Sequence, residues 1–223
     1  MTAIGIIGTG GMARELGKGW IRAGHDVTYG SRTPGSAPDG SGLPVAAVTD
    51  YRSAIESADV VVIAIPYPAV VPFIDEHRES LTGRIIVDIT NPFDNLAHNE
   101  KAGVEYTSDA LGTTDGVVAA FKDNFVATIN TPGVASGQRA DVKIAADDAR
   151  AKDIVRGLAE DLDHRALDCG PLHNARLIDS MVSLMLVLDR EYAGFTRKTG
   201  WKFVGLDDEA PGASRPTGAV GKI

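Results

Sequence analysis

The feature that most constrains this chain is an apolar run that breaks into a glycine-rich turn within its first residues. Ile4-Gly5-Ile6-Ile7 has the texture of a buried strand, and Gly8-Thr9-Gly10-Gly11-Met12-Ala13 follows it directly. The next residues take helical spacing, with Met12, Leu16 and Trp20 four apart on one face. Strand, tight turn and helix in that order, carrying small residues in a G-x-G-x-x-A pattern, make the fingerprint of dinucleotide binding. Each small residue has a mechanical task. Gly8 permits the turn, Gly10 lets a pyrophosphate approach the backbone, and Ala13 lets the helix pack closely on the sheet. Gly11 and Met12 open the helix, whose free N–H groups and partial positive charge attract phosphate.

Further along, apolar strand-like runs alternate with helical spacing. A second strand is expected over residues 26–30, a short one over 43–48 after a Gly/Pro/Ser-rich loop, and a short helix over 51–57. Residues 60–65 read as a strand buried on both faces, ended by Pro66, with a helix starting near Pro68. Residues 85–89 are the next strand, closed by Thr90-Asn91-Pro92. The spacing then predicts an irregular stretch over 95–116, a helix around 117–121 and a strand over 125–129. Two shorter strands, 142–145 and 166–168, flank a helix over 149–162, whose N-terminus Asp147-Asp148 suits. The expected fold class is therefore α/β, a doubly wound, mostly parallel sheet of the NAD(P)-binding Rossmann type with a small helical C-terminal extension.

That extension begins near Leu172. Leu177, Met181, Leu184, Met185, Leu188 and Tyr192 form one helical stripe, and Ile178, Val182 and Leu186 a second. A helix apolar on two faces is buried on both, and the second face most economically packs on another copy, so a homodimer is expected. The domain reading is 1–170 for nucleotide binding, 171–204 for a helical segment at the acceptor cleft and dimer contact, and 205–223 for a mobile tail rich in Gly, Pro, Ser and acid.

Composition excludes several classes. A net charge of −8 argues against a nucleic-acid or anionic-membrane surface. The single cysteine, Cys169, rules out an internal disulfide and any C-x-x-C motif, and no metal-ligand spacing stands out. No apolar run approaches the roughly 20 residues needed to cross a bilayer. Met1 leads straight into the first strand, leaving no room for a cleaved leader, and a cytoplasmic protein is expected.

The second strand ends in Gly30-Ser31-Arg32-Thr33, where an NAD-binding domain usually carries an acid about 20 residues past its glycines. No acid stands there. A hydroxyl at Ser31 beside the guanidinium of Arg32 suits the 2′-phosphate of NADP(H), and a carboxylate would repel it. Thr9 offers a further hydroxyl to that phosphate.

These residues resemble a known family. Gly8-Thr9-Gly10, Gly30-Ser31-Arg32, Ile65-Pro66-Tyr67, Asp88-Ile89-Thr90-Asn91-Pro92 and the segment from Leu167 through Gly170-Pro171-Leu172 to Arg176-Leu177 are similar to those of the NADPH-dependent reductases of coenzyme F420 and their bacterial relatives. The resemblance runs in order to Gly200-Trp201-Lys202-Phe203. It implies hydride transfer between NADP(H) and a deazaflavin, F420, stacked against the nicotinamide. Membrane ferric reductases have similar nucleotide domains and use a flavin.

Ligands of such sheets bind beyond the carboxyl ends of the strands. Pro66 and Tyr67 are accordingly assigned to the cleft wall, and Asn91 and Pro92 to the nicotinamide half. Asn130 and Thr131 are expected to face and orient the acceptor. The cleft is expected to close with Gly170-Pro171-Leu172 and the following helix, and Arg139, Arg176, Arg197, Lys198 and Lys202 are the cations available to an anionic acceptor tail. No acid–base grouping is recognisable. His25 belongs to a turn, His77 and His98 to solvated positions and His164 to structure, Asp88 reads as a hydrogen-bonded strand end, and His173 and Cys169 remain open. Hydride transfer to a flavin-like ring needs alignment and a dry site, whereas a ketone or imine wants a proton donor. The flavin-type acceptor is therefore preferred over a carbonyl, imine or ferric reductase, and a non-catalytic NADP-binding sensor is the remaining class.

Overall fold

The computed structural model describes residues 1–38, 40–93, 100–131 and 138–205. Its first half runs Ala3–Ile7 (β1), Gly11–Arg22 (α1), Asp26–Gly30 (β2), Val48–Thr49 (β3), Tyr51–Glu56 (α2), Val60–Ile63 (β4), Val70–Leu81 (α3) and Ile85–Asp88 (β5). The second half adds Gly103–Leu111 (α4), Val117–Ala119 (β6), Val142–Ala146 (β7), Ala149–Glu160 (α5), Ala166–Asp168 (β8) and Ala175–Ala193 (α6). The strands form one sheet in the order β3-β2-β1-β4-β5-β6-β7-β8. Every pairing is parallel except β6 with β7.

Both faces of the sheet are covered, which is why its strands read as unbroken apolar runs. Ile4 and Ile6 pack with Leu16 and Trp20 of α1 and with Val155 and Leu158 of α5. Trp20 donates its indole N–H to the Leu158 carbonyl at 2.8 Å, locking the two helices together on that face. Ile7 points the other way, to Ala54 and Ile55 of α2 and Phe73 and Ile74 of α3. On that second face, α4 and α6 cover Val117, Ala119 and Ala145. The sheet order reverses at β1 and β4, so a crevice opens beyond their carboxyl ends.

Four expectations give way to the structure. Residues 117–121 are not a helix. Val117 pairs with Ile86 in β6, because an apolar run this short and wholly buried fills a sheet slot more readily than it caps a helix. Residues 125–129 are not a strand but a 3-10 turn, Val126–Thr128, since β7 already holds the edge of β6. The stretch read as irregular contains α4, whose first free N–H, that of Ala102, is taken by the Glu105 carboxylate at 2.6 Å and whose end is Gly112 at φ +75°. Residues 43–48 place only Val48 in a strand, because a 3-10 turn over Val45–Ala47 follows Pro44.

The antiparallel β7 has a larger effect. It turns β7 and β8 around, so the carboxyl end of β8 lies at the end of the sheet away from the crevice. Gly170 accepts the Ala146 N–H there, and Leu172 N–H reaches Asp147, next to the Asp148 that holds Gly116 at the start of β6. Gly170-Pro171-Leu172 therefore do not close the cleft. From that far end α6 travels back toward the crevice, burying Ile178, Asp179, Val182, Met185 and Asp189. Val182 and Met185 belong to the protomer's own packing, while Leu177, Leu184, Leu188 and Tyr192 stay exposed. The segment from residue 206 onward lies outside the described residues.

Candidate active site

The glycine turn is built as its spacing requires. Gly8 holds φ +118°, and a Cβ on it would come within 2.5 Å of the Ala64 carbonyl. Gly10 sits at the N-cap of α1 with no side chain capping the helix, and a Cβ there would meet nothing within 4 Å. The helix end is thus open and its first N–H groups lack a capping partner, a fit for phosphate oxygens. Ala13 is fully buried under the sheet.

The β2 end lies beside this turn, since Ile7 pairs with Gly30 and the Gly8 N–H donates to the Gly30 carbonyl at 2.9 Å. Ser31 follows, its hydroxyl accepting the Thr33 N–H at 3.1 Å. Arg32 is exposed and forms no ion pair among the described residues.

A cavity of about 1460 Å³ starts at Met12 and runs along the carboxyl ends of β4, β5 and β6. Pro66, Tyr67, Asn91, Pro92 and Thr131 all line it. Burial, with Tyr106, Asp88 and Asp179 nearby, pushes the Tyr67 phenol up to about 12, so it stays a neutral hydroxyl at physiological pH. Asn91 donates from Nδ2 to the Lys122 carbonyl at 2.8 Å, leaving its buried Oδ1 without a partner among the described residues. That orphan acceptor fits an incoming N–H donor such as a carboxamide.

Asn130 stands elsewhere. Its Nδ2 donates to Glu15 at 2.7 and 2.9 Å and its Oδ1 accepts from Arg22 at 2.6 Å, so it ties the loop to the flank of α1 and does not line the cavity. The 3-10 turn before it, in place of a strand, swings the side chain away. Asp88 is likewise spent, accepting from the Thr90 N–H and hydroxyl at 2.7 Å each and from Thr107 at 2.6 Å.

The described histidines stay outside the cavity lining. His25 bonds Thr2 and Asp161. The solvated reading of His77 fails, because it occupies the buried face of α3 one turn from Phe73 and packs on Phe73 and Tyr51. His164 sets each ring nitrogen 2.8 Å from a carbonyl, of Ala140 and of Ile129. His98 lies outside the described residues. His173 is exposed on a 3-10 turn at the far end of the sheet. Cys169 shares that end, and burial pushes its thiol up, away from reactivity.

One feature of the site was not foreseen, whereas the helix after Leu172 and Arg197 were expected at the cleft. Beneath the floor, the Lys122 ammonium pairs with Asp179 and donates to the Thr90 carbonyl, and Asp179 also accepts the Gly103 N–H at 2.9 Å. Val182, Met185 and Leu186 of α6 form the wall facing the strand ends. Phe195 and Arg197, just past that helix, complete the lining. The signal available was a charge on an apolar stripe: Asp179 and Asp189 share the buried face of α6 with Ile178, Val182 and Met185. Among the described residues no cluster of side chains suits a metal ion, and no helix is long and apolar enough to cross a membrane.

Residues 3–92 match the family described as NADP oxidoreductase, coenzyme F420-dependent. The chain is 27% identical over 201 residues to the F420-dependent NADP reductase of Methanothermobacter marburgensis, covering 82% of this chain and 89% of that protein. It is 31% identical over 183 residues to Metalloreductase STEAP3 of Rattus norvegicus, which spans 80% of this chain and 36% of that longer protein. A crystal structure described as a putative F420-dependent NADP reductase from Arthrobacter sp. FB24 superposes with a TM-score of 0.80 at 26% identity, covering 91% of this chain and 99% of the other.

Proposed function

Starting from an NADP-dependent oxidoreductase related to the F420-dependent NADP reductases, we propose that this chain passes hydride between NADP(H) and a flat, flavin-type acceptor, with the deazaflavin F420 as the first choice. The cavity carries this reading. At about 1460 Å³ it exceeds the roughly 300–1,000 Å³ of a single small-ligand pocket, and it runs from Met12, in the first turn of α1 just past the glycines, to the α6 wall. There is room for a nicotinamide and a second ring system against it.

The residues divide the work. Gly8, Thr9, Gly10, Gly11 and Met12 receive the pyrophosphate on the open helix end, with Ala13 seating that helix. Ser31 and Arg32, which makes no ion pair among the described residues, receive the 2′-phosphate. Pro66, Tyr67 and Pro92 wall the nicotinamide half, and Asn91 offers its orphan Oδ1 to an N–H donor. Thr131 lines the same space. When bound, NADPH supplies the hydride, and the acceptor takes it together with one proton from solvent. The lining supports an acceptor that asks little acid–base help of the protein: its charged members are Glu15, Lys122 and Arg197, and Lys122 is already committed to Asp179. What the walls provide is alignment and exclusion of water.

A homodimer through the outer face of α6 belongs to the same reading, supported by the exposed row of Leu177, Leu184, Leu188 and Tyr192. The deciding experiment is a turnover screen of NADPH against F420, FMN, riboflavin and a panel of ketones, imines and ferric chelates. Steady NADPH oxidation with a deazaflavin or flavin is expected. Turnover confined to a carbonyl or imine would replace the acceptor, and tight NADPH binding with no turnover on any member would leave a sensor.

A further inference from the structure

Asp189 is buried on α6, yet its carboxylate serves the loop beyond the helix rather than a cation. Its Oδ2 accepts the Arg197 N–H at 3.0 Å, and its Oδ1 accepts the Thr199 hydroxyl at 2.7 Å. Its backbone carbonyl accepts the Phe195 N–H at 3.0 Å. Phe195 and Arg197 both hold left-handed backbone, at φ +58° and +55°. Side chains pay a steric penalty there, and such conformations persist only where surrounding contacts hold them. The held geometry sets the Arg197 guanidinium 4.6 Å from the centroid of the Phe195 ring, with both residues on the cavity wall.

Five cations were open as mouth residues, and the structure sorts them. Arg139 pairs with Asp163 at 3.2 Å, Arg176 with Glu105 through two contacts of 2.6 Å, and Lys202 with Asp141 at 3.4 Å. Lys198 does not line the cavity. Arg197 lines it and makes no ion pair among the described residues. Its setting is otherwise hostile to anions, because the C-terminal end of α6 carries partial negative charge and Asp189 lies beside it. An unpaired guanidinium, oriented by stacking at such a point, is suited to bind a phosphate or carboxylate.

We propose that Arg197 reads an anionic group on the hydride acceptor, so that the acceptor is a flat ring compound carrying phosphate or carboxylate remote from its reacting ring. This rests on the acceptor reading given above and adds the residue that selects within it.

Two matched pairs of probes test it: FMN against riboflavin, and F420 against its deazaflavin core lacking the anionic side chain. Dissociation constants come from fluorescence quenching on titration with the full chain at saturating NADP+, and KM values from NADPH oxidation. In at least one pair the wild type is expected to bind the anionic member about fivefold or more tightly, and Arg197→Ala to weaken that member about tenfold while leaving its neutral partner unchanged. Arg197→Lys should keep part of the preference, and Lys198→Ala should hold both members within about twofold. No preference in either pair, or equal losses for anionic and neutral members in Arg197→Ala, would overturn the assignment. Turnover retained with the preference intact in Arg197→Ala sinks Arg197 alone. Absence of turnover with all four probes sinks the acceptor reading and this one with it.

Discussion

The Lys122 ammonium lies 3.1 Å from the Asp179 carboxylate, with the two side chains 0% and 4% exposed. The pair joins the turn after β6 to the N-terminal part of α6, and so fastens the cavity wall to the floor. Burial pushes the Asp179 carboxyl up, and Lys122 opposes it. Asp179→Asn leaves an ammonium buried without its counter-charge and should cost about 3–5 kcal/mol in urea unfolding. The double change Lys122→Met with Asp179→Leu should recover most of that loss. Equal destabilisation in the single and double variants would show that the pair does not act as a unit.

On the proposed reading, nucleotide choice turns on Arg32, exposed beside the glycine turn and without an ion pair among the described residues. NADPH should bind at least about tenfold more tightly than NADH, the magnitude of one charge-assisted contact. Arg32→Asp should remove or invert that ratio. Calorimetry returning equal affinities for the wild type would contradict the role of Arg32.

Association should respond to the outer face of α6. Leu184 is 50% exposed and Tyr192 86%, whereas Val182 and Met185 are buried within the protomer. Leu184→Glu should therefore yield a folded monomer in sedimentation, with its circular dichroism unchanged. Met185→Glu should instead lower stability, because it places a charge in the core. A wild-type monomer at micromolar concentration would refute the dimer.

Asp141 gives a pH signature. Burial works against its charge, but Arg165, the Phe203 N–H and Lys202 outweigh burial and hold the carboxyl below its ordinary range. A carboxyl whose folded value is depressed stabilises the protein above its unfolded value, about 3.9, and loses that contribution as pH falls through the folded value. Asp141→Asn should thus be less stable than wild type by about 3 kcal/mol at pH 7, with the gap narrowing below about pH 4. A gap of constant size from pH 7 to pH 3 would show that the ionised form contributes nothing.

Much of this was legible in sequence where one short segment carries its own signal. The glycine turn, the Gly30-Ser31-Arg32 corner and the strand ends at Pro66 and Asn91 follow from local chemistry, because strand, turn and helix start lie within a few residues of each other. Asn130 was misplaced because a segment rich in β-branched residues reads as a strand wherever it stands, and only the occupied edge of β6 denies it one. The helix after Leu172 was expected at the cleft, but Gly170-Pro171-Leu172 were put there with it, since the reversal of β7 depends on a strand pairing that no local pattern announces. Lys122 and Asp179 stand 57 positions apart in the chain, and neither alone indicates the other.

The reversal of β7 and β8 also orders the protein in time as it is made. The glycine turn and strands β1 to β5 use only the first 88 residues and can assemble while the remainder is still being synthesised. The facing wall, from Val182 to Arg197, begins to emerge only 94 residues later. Until then Val117, Ala119 and Ala145 lack the cover of Leu172, Ala175 and Ile178, and a nascent chain carries an oily strip at that edge. A chain cut short before α6 would keep its glycine turn, lose the facing wall of the cavity, and leave that strip open to self-association.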